Sequence, residues 1–194
     1  MTKLVFATHN KHKLREAQIK VGSNFEIISL SELNFFDDIP ETEDTIEGNA
    51  RLKAEFVYER FGENCFADDT GLEVEALNGQ PGVFSARYAG ENASYDDNVQ
   101  KLLKNLGDNP NRKAMFRTCI HLIINGQHHV FEGATKGLIT LQPKGTDGFG
   151  YDPVFVPEGY DKTFAEISIE EKNIISHRGK ALDKLCDFLS KTAK

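Results

Sequence analysis

The 194 residues are enough for one substantial domain or two small lobes sharing a core, and 39% hydrophobic with 27% charged residues is the balance of a soluble protein with a real interior. Thirty acidic against 23 basic residues give a formal charge of -7, which repels a phosphate backbone and disfavours nucleic-acid binding, though a few local cations still permit a small anionic substrate. No apolar run spans a bilayer, MTKLVFATHNKHK is interrupted too soon for a secretory signal, and three scattered cysteines suit no disulfide framework, so a cytoplasmic protein is expected.

KLVFAT (3–8) is a short β-rich run that reads as a buried strand. Leu14, Ala17 and Val21 then share one face of a helix. Ile46, Ala50, Ala54, Val57 and Phe61 make a stronger amphipathic stripe between Thr45 and Phe61. NCFA (64–67) is a strand running into Asp68-Asp69-Thr70-Gly71, and LEVEAL continues as a strand or extended edge. Ser94, with Asp97 three residues on, caps a helix carrying Val99, Leu102, Leu103 and Leu106, which Gly107 stops.

AMFRTCIHLII and HHVFEGATKGLITL flank Asn125-Gly126, a hairpin signal. QPKGTDGFGYDP has too many glycines for regular structure and leads into a short strand, VFV. Ser176 caps a last helix with Leu182, Leu185, Cys186 and Leu189 inward. This order predicts a mixed sheet flanked by helices, α/β or α+β with an antiparallel section, rather than a regular Rossmann alternation.

Four segments hold residues suited to chemistry. Thr8-His9-Asn10-Lys11-His12-Lys13 joins the first strand to the first helix, where backbone N–H groups and the helix dipole favour an anion. The plain alternative is a polar turn with Asn10 as helix cap. Neither standard phosphate loop occurs, so a triphosphate needs another grip.

Glu41 and the pair Asp68-Asp69 form an acidic group. Successive strand residues point to opposite faces, so one aspartate should coordinate or activate while the other supports it. One or two carboxylates suffice for Mg²⁺. The alternative is a solvated acidic loop. Phe149-Gly150-Tyr151-Asp152 offers an aromatic ring on flexible glycines, fit to stack on a base, or else a hydrophobic plug in a turn.

Lys172, His177 and Arg178 place three potential cations around a helix start, with Lys53 on the second helix in the same question. The alternative is an exposed charged corner. No competing metal pattern accompanies His9, His12 or His128-His129, and Cys119 reads as a buried thiol.

The blocks FATHNKHKLREA, ETEDTIEGNARLKA, FADDTGLEVEALNGQPGVFSARYAG, GTDGFGYDPVF and EEKNIISHRGKAL occur in an order that resembles the inosine triphosphate pyrophosphatases, the dITP/XTP pyrophosphatases that remove non-standard purine nucleotides. The resemblance covers nearly the whole chain, 1–194 as a single pyrophosphatase domain of two lobes. It implies an elongated mixed α/β fold around a long central sheet, with the active site in the cleft between lobes, Mg²⁺ dependence and a homodimer. It also implies hydrolysis of dITP, ITP and XTP to monophosphate and pyrophosphate, cleansing the nucleotide pool.

By the same resemblance, Thr8, Asn10 and Lys13 bind triphosphate, with His9, Lys11 and His12 in the same loop. Glu41 and Asp69 hold the metal, and Asp69 is also the general base. Thr70 and Lys53 contact substrate, Phe149 to Asp152 bind the base, and Lys172, His177 and Arg178 complete the contacts. The chain departs from the family in carrying His9 and His12 where most members have glycine. Gly48 also precedes Asn49 where glutamate is usual, with Glu47 one place earlier.

Base discrimination is expected from the 6-keto oxygen of inosine and xanthine, met by donors from Arg178, His177 or backbone near Phe149. Lys13, Lys53 and Lys172 are expected at the leaving pyrophosphate. Two rivals stand: a pyrophosphatase for a modified pyrimidine nucleotide, and a nucleotide sensor that has lost catalysis.

Overall fold

The structure is a computed structural model describing residues 2–21 and 25–192. In chain order the elements are β1 (Thr2–Phe6), α1 (Lys11–Val21), β2 (Phe25–Ser29), α2 (Ile46–Phe61), β3 (Cys65–Val74), β4 (Pro81–Gly82), α3 (Tyr95–Leu106), β5 (Lys113–Ile124), β6 (Gln127–Ile139), β7 (Phe155–Pro157), α4 (Ile169–Ile175) and α5 (His177–Thr192). The strand order is β2-β1-β3-β5-β6-β7, with β4 on β3. β1 runs parallel to β2 and β3, whereas β3–β4 and β6–β7 are antiparallel. The expected mixed α/β class is what forms.

The chain divides into two compact units. Unit 1 comprises Met1–Asp69, Thr118–Gly133 and Arg178–Lys194, and unit 2 comprises Thr70–Arg117 and Ala134–His177.

Unit 1 buries both faces of its inner strands β1, β3 and β5, which explains why KLVFAT reads as a continuous apolar run instead of an alternation. Leu4, Phe6, Phe66, Ile120 and Leu122 pack with Ala17 of α1 and Leu182, Leu185 and Leu189 of α5. Phe6 and Phe66 stack at 4.3 Å. Val5, Cys65, Ala67 and Ile123 face the other way, onto Ala54 and Val57 of α2. Burial pushes the Cys65 thiol up to about 12, leaving it protonated and inert.

Unit 2 covers one face only. Leu72, Val74, Ala114, Phe116 and Ile139 pack with α3 and with Val154, Phe155 and Phe164. Their neighbours Lys113, Lys136 and Leu138 stay exposed, the period-2 pattern of a half-buried strand.

Two caps that the sequence reading did not name frame α2: Thr45 accepts a hydrogen bond from Gly48 N–H at its start, and Gly62 ends it in the left-handed region. Other local signals act as read. Ser94 and Asp97 form a reciprocal capping box on α3. Asn125 (φ 51°) and Gly126 (φ 75°) make the two-residue hairpin turn. The expected edge in LEVEAL stops early: β3 ends at Val74, and Glu75–Leu77 curl into a 3₁₀ turn closed by Asn78 at φ 53°. Three elements, β2, the two-residue β4 and α4, were not anticipated.

Candidate functional site

The two aspartates of β3 take their directions from strand alternation. Phe66 faces α1 and α5, so Asp68 does too; Cys65 and Ala67 face α2, so Asp69 does too. Lys13 Nζ donates to Asp68 Oδ1 at 2.8 Å, and Arg178 Nε donates to Oδ2 at 2.8 Å. Arg178 also donates to Glu16 Oε2 at 2.6 Å and is 2% exposed.

On the other face, Lys53 Nζ donates to Glu41 Oε1 at 2.5 Å and lies 3.9 Å from Asp69 Oδ1. Asn49, fully buried, donates to Asp69 Oδ2 at 3.3 Å and accepts from Glu43 N–H at 3.0 Å. Lys13, Glu41, Lys53, Asp69 and Arg178 thus belong to one ionic cluster. The reading of Asp68-Asp69 as a solvated acidic loop is excluded, since they are 1% and 7% exposed.

Electrostatics separate the neighbours. Burial opposes ionisation of both aspartates. At Asp68 the cations Lys13, Arg178 and Lys53 outweigh it and hold the carboxyl well below the usual range. At Asp69 burial prevails over Lys53 and Lys13, with Glu41 and Asp68 adding like-charge repulsion, so its carboxyl is raised. Burial also lowers the Lys13 ammonium, against the pull of Asp68. For Lys53 burial acts downward, but Asp69, Glu41 and Asp68 together raise it.

The donor set fits a hard divalent cation. Glu41 and Asp69 converge on the point where the Lys53 ammonium now sits, so one cation position already has two carboxylates aimed at it. Among the described residues no three His, Cys, Asp or Glu side chains form a cage. Two carboxylates are what Mg²⁺ takes when waters and substrate phosphates fill its remaining positions.

At the first junction the capping alternative is realised. Asn10 Oδ1 accepts from His12 N–H at 3.0 Å and Lys13 N–H at 3.2 Å, and Asn10 N–H donates to Thr8 Oγ1 at 3.2 Å. Those amides are therefore engaged by the cap, and Lys13 is the cation that joins this turn to the ionic cluster. Lys11 and His12 are exposed, and the His9 ring turns toward Phe35.

Unit 2 holds the remaining expected residues. Phe149 is half-buried, with the Lys172 ammonium 4.9 Å from its ring centre and Tyr95 at 5.9 Å. Asp152 Oδ2 accepts from Phe149 N–H at 2.9 Å and Lys172 Nζ at 2.6 Å, and both side chains of that ion pair are 4% exposed. Tyr151 is buried, its hydroxyl donating to Ser85 O at 2.9 Å. Gly150 (φ 62°) and Gly148 (φ 76°) take conformations costly to other residues, and a Cβ on Gly148 would overlap the Asp152 carboxylate.

These contacts show how the expected residues are held. Asp152 and Lys172 brace the aromatic loop against each other, because an ion pair this buried is stable only when matched. The His177 ring is buried and stacks on Phe116 at 4.4 Å. Arg178 is turned inward by Asp68 and Glu16. Lys172, His177 and Arg178 are all buried, so the exposed charged corner is excluded. Thr70 follows Asp69 along β3, half-buried, where the chain passes into unit 2.

Asn49 and Glu16 were missed. Lys13, Glu16 and Lys20 lie at i, i+3 and i+7 beside Ala17, a charged stripe on an inward helix face that signalled buried pairing.

The sequence has close relatives. It is 57% identical over 190 residues to a dITP/XTP pyrophosphatase of Flavobacterium johnsoniae, covering 98% of this chain and 99% of that one. It is 56% identical to the dITP/XTP pyrophosphatase of Porphyromonas gingivalis, covering 97% and 98%. Among solved structures, the Ham1 protein of Staphylococcus aureus superposes with TM-score 0.88 at 41% identity, covering 98% and 100%. That of Coxiella burnetii gives 0.89 at 39%, with the same coverage. The Ham1 family profile matches residues 4–188, and on that span, with these relatives, the chain belongs to the Ham1 family.

Proposed function

We propose that this chain hydrolyses non-canonical purine nucleoside triphosphates, dITP and XTP foremost, to the nucleoside monophosphate and pyrophosphate. The relatives' names supply the substrate class. The observation that carries the chemistry is the gathering of Glu41, Asp69, Lys53 and Lys13 around one end of the buried strand β3.

Glu41 and Asp69 would hold Mg²⁺, which when bound neutralises charge on the phosphate oxygens. Asp69 orients the water that attacks the α-phosphorus. Its raised proton affinity suits it to share that water's proton, while a metal-bound carboxylate acts mainly by positioning. Lys13 and Lys53 stabilise the departing pyrophosphate, and Asp68 with Arg178 fixes Lys13 in place. Phe149 stacks the base, its ring steadied by Lys172 and its turn by Asp152. A site built around a 6-keto group sets donor against donor with adenine, a mismatch worth roughly 10⁴-fold when the groups are buried.

Three further properties belong to this reading: a cytoplasmic location, no nucleic-acid or membrane partner, and a homodimer. Among the described residues no helix is long and apolar enough to cross a membrane. The uncovered strand face of unit 2 carries exposed Leu138 in a groove of about 740 Å³, with Lys113 and Lys136 beside Glu73 and Glu158. Such mixed charge suits a self-complementary interface. Size-exclusion chromatography with light scattering should give twice the chain mass.

The deciding assay is pyrophosphate release with Mg²⁺ from dITP, XTP, dATP, dUTP and a methylated pyrimidine triphosphate. Preference for dITP and XTP supports the reading. Preference for a pyrimidine supports the first rival, and tight binding of dITP without turnover supports the sensor.

A further inference from the structure

His9 lies in the turn framed by Thr8 and Asn10, yet its ring leaves that turn. It stacks on Phe35 with centroids 5.9 Å apart and planes 25° from parallel. Its Nε2 lies 2.9 Å from the carbonyl oxygen of Asp37, 28 residues along the chain. A carbonyl only accepts, so Nε2 carries the proton.

The two contacts join a buried point to an exposed one. Phe35 is 5% exposed, packs in the core with α2, and has the Arg60 guanidinium 5.2 Å from its ring centre. Asp37 and Asp38 are exposed, in a stretch without regular structure that leads to Glu41. Past Glu41, the same stretch is caught again where Asn49 accepts from Glu43 N–H. Glu41 hangs between these two ties, four residues after one and two before the other.

We propose that His9 is a positioning residue that ties the turn of Thr8, Asn10 and Lys13 to the loop presenting Glu41, so the triphosphate end and the cation end of unit 1's cluster move as one. A glycine at this position offers neither the ring nor the donor. This rests on the reading of Glu41 as a cation ligand. It goes beyond that reading by giving an exposed histidine, outside the ionic cluster, control over where the carboxylate stands.

Hydrogen–deuterium exchange over residues 36–44 of the free protein, compared among wild type, His9→Ala and His9→Gln, tests the tie directly. Removing the donor should speed exchange there about 3- to 10-fold, the change for one net hydrogen bond, with the thermal midpoint nearly unmoved. His9→Gln keeps a donor and should recover part of the protection. In turnover, the Mg²⁺ concentration for half-maximal rate should rise in His9→Ala by more than kcat falls. Exchange over 36–44 identical to wild type, or a superimposable Mg²⁺ titration, overturns the proposal. Because exchange is read without metal or substrate, an inactive wild type would sink the functional reading alone.

Discussion

Unit 1 and unit 2 build their candidate chemistry from different materials. In unit 1, three buried carboxylates (Glu16, Asp68 and Asp69) and the half-buried Glu41 pair with three cations (Lys13, Lys53 and Arg178) beside inner strands that are covered on both faces. In unit 2, a single buried ion pair, Asp152–Lys172, props a half-exposed aromatic ring on a glycine turn. Buried charge is costly unless matched, so each group of the first cluster constrains its neighbours, and small chemical changes there should have large effects. The second region owes its form to backbone geometry, and its ring is open to a ligand. Changes there should alter binding more than folding.

The largest effect is expected from Asp69→Asn, which should lower kcat for dITP by about 10³-fold or more while leaving the fold intact. Its stability should move the other way. The Asp69 carboxyl is raised in the folded state, so ionisation weakens folding progressively as pH climbs past the ordinary value near 4, in full above the raised value and not at all below the ordinary one. Urea midpoints in chelator should therefore be equal or higher for Asp69→Asn at pH 7, with the gain shrinking on acidification. A variant inactive only because it unfolds would remove Asp69 from the mechanism.

Asp68 carries the opposite sign. Its carboxyl is depressed on folding, so its stabilisation is full above the ordinary range, near pH 4, and fades as pH falls toward the folded value. Asp68→Ala strands Lys13 and Arg178 in the interior and should cost about 3–5 kcal/mol, read from denaturant midpoints at pH 7. A loss below about 1 kcal/mol, the scale of a surface pair, would mean the cluster is not internally dependent.

Phe149→Ala should raise KM for dITP by roughly 10-fold, the scale of one lost base stack, with little change in thermal midpoint. Unchanged kinetics would show that stacking is not how the base is held. The smallest effect is expected from Gly148→Ala, which forces a strained φ and a clash with Asp152. It should raise KM a few-fold by displacing the Phe149 turn, while kcat stays within about twofold.

Much of this difference was legible in the sequence. The period of two in β3 separated Asp68 from Asp69, and the cap at Ser94 and the stop at Gly107 set helix ends that the chain follows. What stayed hidden was partner choice. Nothing along the chain says that Lys13 pairs with Asp68, 55 residues away, while Lys53 pairs with Glu41. Asn49 reads as an ordinary polar helix residue until its two partners are seen. Lys172 and Asp152, 20 residues apart and separated by a strand and turns, carry no common period. β2 escaped notice because FEIIS mixes Glu26 and Ser29 among its apolar residues, and its burial is decided by what packs on it.

We propose that unit 1's ionic cluster directs water to the α-phosphorus. Hydrolysis of dITP with Mg²⁺ in H₂¹⁸O, followed by ³¹P NMR, reads the attacked atom. The expected result is ¹⁸O in the dIMP phosphate and unlabelled pyrophosphate, with the signal lost in Asp69→Asn. Label in pyrophosphate, or release of inorganic phosphate and dIDP, would contradict it.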